Sequence, residues 1–323
     1  MRLTKLLALA SLAAPIPGTA AAADVYPAKP IRFVVAFPPG GGTDIIARSI
    51  AHKLAERLAR QVVVDNRPGA GGNIGTDIVA KSAPDGYTLL MGSAGPLAIN
   101  ASLFATMPFD PIKDLAPVTL AASTPNVLVV HPSLPARSVK ELIALAKAKP
   151  GEINFASSGH GTPAHLAGEL FNSMAGVKLI HVPYKGAAPG LADLLGGQVQ
   201  LMFSTLPPAL PHVKDGRLRA LAVTSAKRSP ATPELPTLNE AALPGFEAIT
   251  WHGVVVPAGT PAAIIARLNR EIVAILHLPE IVERLSSQGA EALGSTPEEF
   301  AAYIRSESLK WANVVKESGA KAE

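Results

Sequence analysis

The sequence contains no cysteine and few aromatic residues, and each absence excludes a kind of site. Without cysteine, the chain has no disulfide, catalytic thiol or iron–sulfur cluster. Aromatic residues are 5% of the chain, which argues against a platform on which bases stack. The lysines and arginines are scattered and the formal net charge is only +4, so a basic surface for nucleic acid is not expected. We therefore predict no nucleic-acid partner.

Apolar runs long enough to span a membrane are also lacking. The longest candidate, from Leu6 to Ala14, follows two basic residues and precedes an A-x-A site that ends at Ala23. This run is about half of the roughly 20 residues that a spanning helix needs, so it favours a signal peptide over a membrane anchor. We predict that residues 1–23 are a signal peptide, cleaved near Ala23 on export to the periplasm.

The remaining chain has the composition and pattern of an α/β protein. The 323 residues are 48% hydrophobic and 17% charged, which is enough to bury a large core. Predicted strands and helices alternate, and two extended segments, near 117–131 and at 249–257, look like crossings between two lobes. We therefore predict a discontinuous first lobe of residues 24–124 and 250–323, a second lobe of 125–249, and a two-segment hinge between them.

Two segments share the order strand, glycine-rich loop, amphipathic helix. The first is IRFVVAF-PPGGGTD followed by a helix, at 31–58, and the second is INFAS-SGHGTPA-HLAGELF, at 153–171. Such a loop directs backbone N–H groups and the positive end of a helix dipole at one point, where an anion binds without a charged side chain. Two such loops predict that two lobes hold one anionic ligand between them.

Two other interpretations of the sequence are possible, a dinucleotide site and a hydrolase. Residues 159–164 fit the dinucleotide pattern G-x-G-x-x-A, but 178–186 contain no acidic residue for a ribose. A secreted hydrolase with Ser93 or Ser158 as nucleophile is the enzyme alternative. The surroundings of Ser93 miss the G-x-S-x-G elbow because position 91 is Met. We predict a protein that is not an enzyme and that needs no cofactor.

Histidine is a common metal ligand, so three histidines are candidates for a metal site. His160, His165 and His181 do not show an established zinc-ligand spacing such as HExxH. His160 and His165 are five residues apart, which is a poor match to one helical face. We therefore interpret each as a polar surface or loop residue and predict no metal site.

Several motifs in fixed order resemble one family, the Bug proteins, which are the periplasmic substrate-binding proteins of tripartite tricarboxylate transporters. The resemblance covers essentially the whole mature chain. It implies the two-lobed type II periplasmic-binding-protein fold, with lobes that close on a small carboxylate, and membrane transporter subunits as partners of a monomer. A ligand sensor of the same fold that acts on a signalling partner is the alternative. The matching motifs are FPPGGGTDIIAR at 37–48, NRPGAGGNIGT at 66–76, PDGYTLL at 84–90, VPYKG at 182–186 and WHGVVVPAGTP at 251–261.

The resemblance also implies which residues contact the ligand. In the family, the loops that match 37–44 and 157–162 contact the ligand carboxylate. We add Ser93 because it ends a strand at the edge where α/β sheets bind ligands, and Tyr184 and Ser204 as weaker candidates. We expect Asp44 to turn aside or to use its backbone N–H, since its carboxylate would repel an anion. The residues carried over are Phe37, Gly41, Gly42, Thr43, Asp44, Ser158, Gly159, Gly161 and Thr162.

The sequence departs from the family at two positions. The family commonly has Asp where Gln200 and Ser204 stand here. An Asp near the cleft would suit a ligand ammonium group, so its absence favours a plain di-, tri- or aromatic carboxylic acid over an amino acid. The sequence does not identify which carboxylate is bound.

Overall fold

Helices and strands alternate along the chain in the computed structural model, which describes residues 26–287, 289–318 and 321. The mixed α/β pattern is therefore confirmed, while the predicted signal peptide lies outside the described residues. The strands are β1 Ile31–Val35, β2 Val62–Asn66, β3 Thr88–Ser93, β4 Leu115–Val130, β5 Asn154–Ser157, β6 Ile180–Pro183, β7 Leu201–Thr205, β8 Arg219–Val223, β9 Ile249–Pro257 and β10 Glu291–Ala292. The helices are α1 Gly42–Leu58, α2 Asn73–Ala80, α3 Asn100–Leu103, α4 Val139–Ala148, α5 Pro163–Ala175, α6 Ala187–Leu195, α7 Leu206–Lys214, α8 Leu238–Ala241, α9 Ala262–Leu276, α10 Pro279–Ser286 and α11 Pro297–Ser318.

One long strand, β4, joins two half-sheets. The strand order is β2-β1-β3-β9-β4-β7-β5-β6, with β8 and β10 also paired to β4. β4 pairs with β9 up to Pro125 and with β7 and β8 from Asn126 onward. We call the part up to Pro125 with its partners the first half-sheet and the rest the second half-sheet. The two extended runs predicted near 117–131 are thus one continuous strand.

A buried polar network stabilises β4 at the point where its partners change. The backbone N–H of Asn126 donates to Thr224 Oγ1 at 3.0 Å, and Thr250 Oγ1 donates to Asn126 Oδ1 at 3.1 Å. Thr224 Oγ1 in turn lies within hydrogen-bond distance of the Ala248 carbonyl oxygen. Because a strand that changes partners risks leaving buried polar groups unpaired, these side chains supply the missing bonds.

Hydrophobic residues alternate between the two faces of the half-sheets. On β1, Phe33 packs toward α1 and α9 while Val34 faces the opposite side, as the period of two in a strand requires. On β4, Val127 and Val129 pack toward α6 and α7. The opposite face is covered by one continuous core that runs behind both half-sheets and includes residues of α4, α5 and α11.

Helix α7 was not predicted from the sequence, because its segment LPPALPHVK contains three prolines. Two of them, Pro207 and Pro208, lie in the first helical turn, where backbone N–H groups have no helical partner and proline is tolerated. The helix therefore begins directly after β7. Helix α11, whose residues fall within the predicted first lobe, contacts α5 as well as β4. No helix in the described part of the chain is long and apolar enough to cross a membrane.

A buried carboxylate connects α11 to the sheet. The indole N–H groups of Trp251, on β9, and of Trp311 both donate to Glu307 Oε2 at 2.9 Å. Both indoles are fully buried and Glu307 is 7% exposed. Hydrogen bonds to a charged acceptor are stronger than those between neutral groups. These two hydrogen bonds therefore hold α11 against the sheet.

We predict that Glu307→Ala destabilises the protein substantially, because it leaves two buried indole N–H groups unpaired. The free energy of unfolding, measured by urea denaturation, should fall by about 3 kcal/mol. Glu307→Gln keeps an oxygen acceptor and should lose clearly less. Equal losses in the two variants would contradict a role for the shared oxygen.

Candidate ligand-binding site

Four helices begin at the wall of one small inner pocket. Helices α1, α5 and α6 contribute residues of their first turns to its lining, and α7 contributes its N-cap residue, Thr205. The N-cap residues Gly41, Gly186 and Thr205 make no side-chain capping bond among the described residues. First-turn N–H groups of α1 and α6 are therefore open to a ligand. In α7, Pro207 and Pro208 have no N–H, so Leu206 is the donor among its first three residues. The lining residues are Phe37, Pro38, Gly41, Gly42, Thr43, Ser93, Ser158, Thr162, Pro163, Ala164, Ala187, Ala188, Thr205 and Thr250.

Hydroxyl groups add further hydrogen-bond capacity to this inner pocket. Within the part of the chain that the structure describes, Ser93 Oγ and Thr205 Oγ1 are buried and have no hydrogen-bond partner. An unpaired buried polar group costs about 1–3 kcal/mol, so these hydroxyls favour a ligand that can accept from them. The residues that line the inner pocket include no charged side chain. Helix dipoles and neutral donors therefore make the pocket suited to an anion.

An outer pocket adjoins the inner one and shares Phe37 and Ser158 with it. Its volume is about 200 Å³, against about 40 Å³ for the inner pocket. Lys185 is exposed and provides a cation at its wall. The remaining lining residues are Gly69, Ala70, Gly71, Gly72, Phe104, Gly159, His160, Pro183 and Tyr184.

The hydroxyl group of Tyr184 is already engaged within its own lobe. It donates to Asp193 Oδ2 at 2.7 Å. Burial and this acceptor raise the pKa of Tyr184 to about 12, so the phenol stays protonated. Tyr184 therefore offers its ring, rather than a free hydroxyl, to the outer pocket.

The negative charge of Asp44 is balanced by neighbouring hydrogen-bond donors. It accepts from Arg48 Nε at 2.9 Å, from Asn66 Nδ2 at 2.9 Å and from the backbone N–H of Gly40 at 3.0 Å. Burial by itself would raise the pKa of Asp44, but these hydrogen bonds outweigh burial and hold the pKa below its usual value. Asp44 thus shapes the loop while its charge stays paired.

Most of the sequence-predicted residues meet at the two pockets. The inner pocket includes Phe37, Gly41, Gly42, Thr43, Ser93, Ser158 and Thr162, and the outer pocket adds Gly159 and Tyr184. Three predicted residues, Asp44, Gly161 and Ser204, line neither pocket. Ser204 Oγ donates to the Thr205 carbonyl oxygen at 3.0 Å. Gly161 lies against the side chain of Asn100, which an added Cβ would overlap.

Sequence reasoning missed Thr205, Thr250, Ala187 and Ala188. Thr205 ends β7 just as Ser93 ends β3, so its position at a strand end was a usable signal. Thr205 was not predicted because the prolines that follow it argue against a helix, so the segment did not show the order strand, loop, helix. Helix α1 begins at Gly42 with Gly41 as its N-cap, so Thr43 lies in the first helical turn.

At three glycines the opposite walls of the cleft lie too close for a Cβ atom to fit easily. A Cβ added at Gly95 would lie 3.0 Å from the carbonyl oxygen of Gly161, and one at Gly71 would overlap the carbonyl oxygen of His160. A Cβ at Gly186 would lie 2.7 Å from Pro38. Glycine at these positions therefore allows the two sides of the cleft to approach closely.

Comparison with known proteins identifies the family. Residues 46–320 match the family model described as the tripartite tricarboxylate transporter family receptor. The chain belongs to this family. BugT from Bordetella pertussis is 45% identical to it over 99% of both chains. This receptor is a solute-binding protein and not an enzyme, so the hydrolase alternative is wrong, and the resemblance to the Bug proteins is confirmed.

Solved structures of relatives show the same architecture. An R. palustris protein solved with adipate has a TM-score of 0.90 and 41% identity, covering 92% of this chain and 99% of that one. MatC from Rhodopseudomonas palustris, with bound malate, has a TM-score of 0.86 and 32% identity, covering 90% of this chain and all of that one. The two-lobed periplasmic-binding-protein fold is therefore confirmed for this receptor.

Proposed function

We propose that this receptor captures a small carboxylate in the cleft between its lobes and delivers it for transport. The observation that carries the proposal is the convergence of four helix starts, with two unpaired hydroxyls, on a pocket lined by no charged side chain. A carboxylate placed there would accept from both walls at once. The adipate and malate in the related structures support this ligand class. The proposed contacts are the inner-pocket residues, together with Gly159 and Tyr184 from the outer pocket.

The proposed lobes are residues 24–124 with 250–323, and residues 125–249. The change of partners along β4 between Pro125 and Asn126 supports this division. Binding closes the lobes, because α1 presents its donors from one lobe while α5, α6 and α7 present theirs from the other. A ligand is held by all four helix starts only when the cleft is shut.

The site favours a plain carboxylic acid over an amino acid. Neither pocket is lined by an acidic side chain, and the nearest predicted acid, Asp44, is engaged by Arg48. A ligand ammonium group would therefore be buried without a charged partner, which is costly. The larger outer pocket, with Lys185 at its wall, has room for the rest of the molecule, including a second carboxylate.

We further propose that the protein is exported to the periplasm, is cleaved near Ala23 and acts there as a monomer. Its partners would be the membrane subunits of a tripartite tricarboxylate transporter. The family match supports this role. The intact mass of the exported protein tests the cleavage site, since a mature chain should begin close to Asp24.

Calorimetric titration of the mature protein tests the function. The panel contains adipate, malate, citrate, benzoate and aspartate, with a neutral sugar as control. We expect at least one non-amino carboxylate to bind more tightly than aspartate, and the sugar not to bind. Binding of the sugar, with none of the carboxylates, would overturn the proposal.

We predict that Thr205→Val raises stability but weakens ligand binding. The change removes a buried hydroxyl that has no partner within the described chain, so the ligand-free protein should gain about 1 kcal/mol. The carboxylate should lose a donor and bind about tenfold more weakly.

The matched control is Thr232→Val. Its hydroxyl is also buried and unpartnered among the described residues, but it lines neither pocket. It should gain stability with unchanged affinity. If both variants bind the carboxylate like the wild type, Thr205 makes no contact with the ligand.

We predict that Gly95→Ala impairs lobe closure. The new methyl group would lie 3.0 Å from the Gly161 carbonyl oxygen across the cleft, so the two walls must separate by a few tenths of an ångström. Carboxylate affinity should fall by roughly three- to tenfold. Gly196→Ala, where the methyl group has only ordinary contacts at 3.5 Å or more, should bind normally. Equal affinity in both variants would argue against close approach at Gly95.

A further inference from the structure

Three histidines from separate elements meet directly behind the second ligand loop. His160 lies within the loop, His165 lies in the first turn of α5, and His181 lies on β6. One ring nitrogen from each lies within 4.8 Å of the other two. His165 is buried rather than exposed, and the three side chains form one group. Sequence spacing could not reveal the group, because β5–α5–β6 folding brings distant positions together.

The three rings pack against one another, and the stacked pair would have to rotate apart to bind one ion. The rings of His165 and His181 stack with centroids 4.0 Å apart, and the ring of His160 stands nearly perpendicular to both. Tetrahedral zinc with nitrogen ligands at about 2.1 Å requires nitrogens about 3.4 Å apart. Side-chain rotations that draw the nitrogens together by up to about 1.4 Å would meet that requirement.

The chemistry of the group also fits a cation. Imidazole nitrogens are common ligands of divalent transition metals. His160 Nδ1 is buried and lacks a partner among the described residues.

Neighbouring groups orient two of the rings from behind. His181 Nε2 lies 2.6 Å from Ser157 Oγ, which leaves Nδ1 of that ring to face an ion. His165 Nε2 lies 3.7 Å from Glu169 Oε1, one turn further along α5, and its Nδ1 accepts from the backbone N–H of Gly161 at 3.3 Å. An ion would replace Gly161 as the partner of that Nδ1. Metal-bound histidines are commonly held in this way, with one nitrogen on the metal and the other toward a carboxylate or hydroxyl.

We propose that His160, His165 and His181 form a binding site for one divalent transition-metal ion, with zinc as the first candidate. Each histidine would supply one nitrogen, and water would complete a four-coordinate shell. The ion would hold the SGHGT loop to β6. Since His160 also lines the outer pocket, the metal would stiffen one wall of the cleft. The site stands on its own residues and does not depend on the proposed carboxylate.

The test uses the mature protein without a polyhistidine tag, stripped of metal with a chelator. Titration with Co²⁺ should produce the intense visible absorption of four-coordinate cobalt, which Zn²⁺ then abolishes. Calorimetry with Zn²⁺ should give one ion per chain. His160→Asn should weaken zinc binding at least about tenfold, and the zinc-induced rise in Tm should disappear with it.

The control variant is His52→Asn. His52 is exposed on α1 and lies 3.2 Å from Glu56, so it represents an ordinary surface site for metal ions, and its loss should leave zinc binding unchanged. His165→Asn and His181→Asn should also abolish binding, with circular dichroism to verify that each variant is folded. Equal zinc affinity in the wild type and His160→Asn, or no binding by the wild type, would overturn the proposal.

Discussion

A helix that starts inside a protein leaves its first backbone N–H groups in need of acceptors, and four helices of this receptor start at the wall of one pocket. Three of their N-caps make no capping bond with their own side chains among the described residues. The positions of β1, β5, β6 and β7 follow from this constraint, because each of these strands leads into one of those helices. The pocket is therefore a property of the whole arrangement of strands, and no single loop contains it.

The two faces of the sheet are packed differently. One continuous hydrophobic core covers the back of both half-sheets, and α11 is fixed to that side by the carboxylate shared between two tryptophans. On the other side the core is split into two clusters, one under α1 and α9 and one under α6 and α7. The inner pocket is lined by residues of both half-sheets and their helices, with Gly42 on one side and Thr205 on the other. The polar network around Asn126 lies on the strand that both halves share.

Charge is arranged so that the pocket stays free of it. Asp44 stands in the first turn of α1, where a carboxylate is favourable to the helix dipole, and Arg48 and Asn66 keep it occupied. The cation of the outer pocket, Lys185, is exposed. Between these two, the inner pocket presents helix dipoles and unpaired hydroxyls and no charged side chain. Such groups suit an anion because they are already oriented. Of the histidine group behind the SGHGT loop, His160 lines the outer pocket.

Local sequence was sufficient for the alternating strands and helices, and for the two glycine-rich loops, because hydrophobic period and glycine placement act over a few residues. It was sufficient for Ser93, since the end of a strand is a local feature. It was insufficient for Thr205, because prolines in α7 argue against a helix there. It was also insufficient for Ser204, because the neighbouring Thr205 lines the pocket instead. The three histidines show most clearly what the sequence could not predict. Their separations of five and sixteen residues along the chain follow no known ligand spacing, and only the packing of α5 against β5 and β6 brings their nitrogens together. What the sequence by itself determined was the kind of donor that each segment can offer; which donors face the same space was decided by tertiary structure, because only long-range strand pairing sets the distances between them.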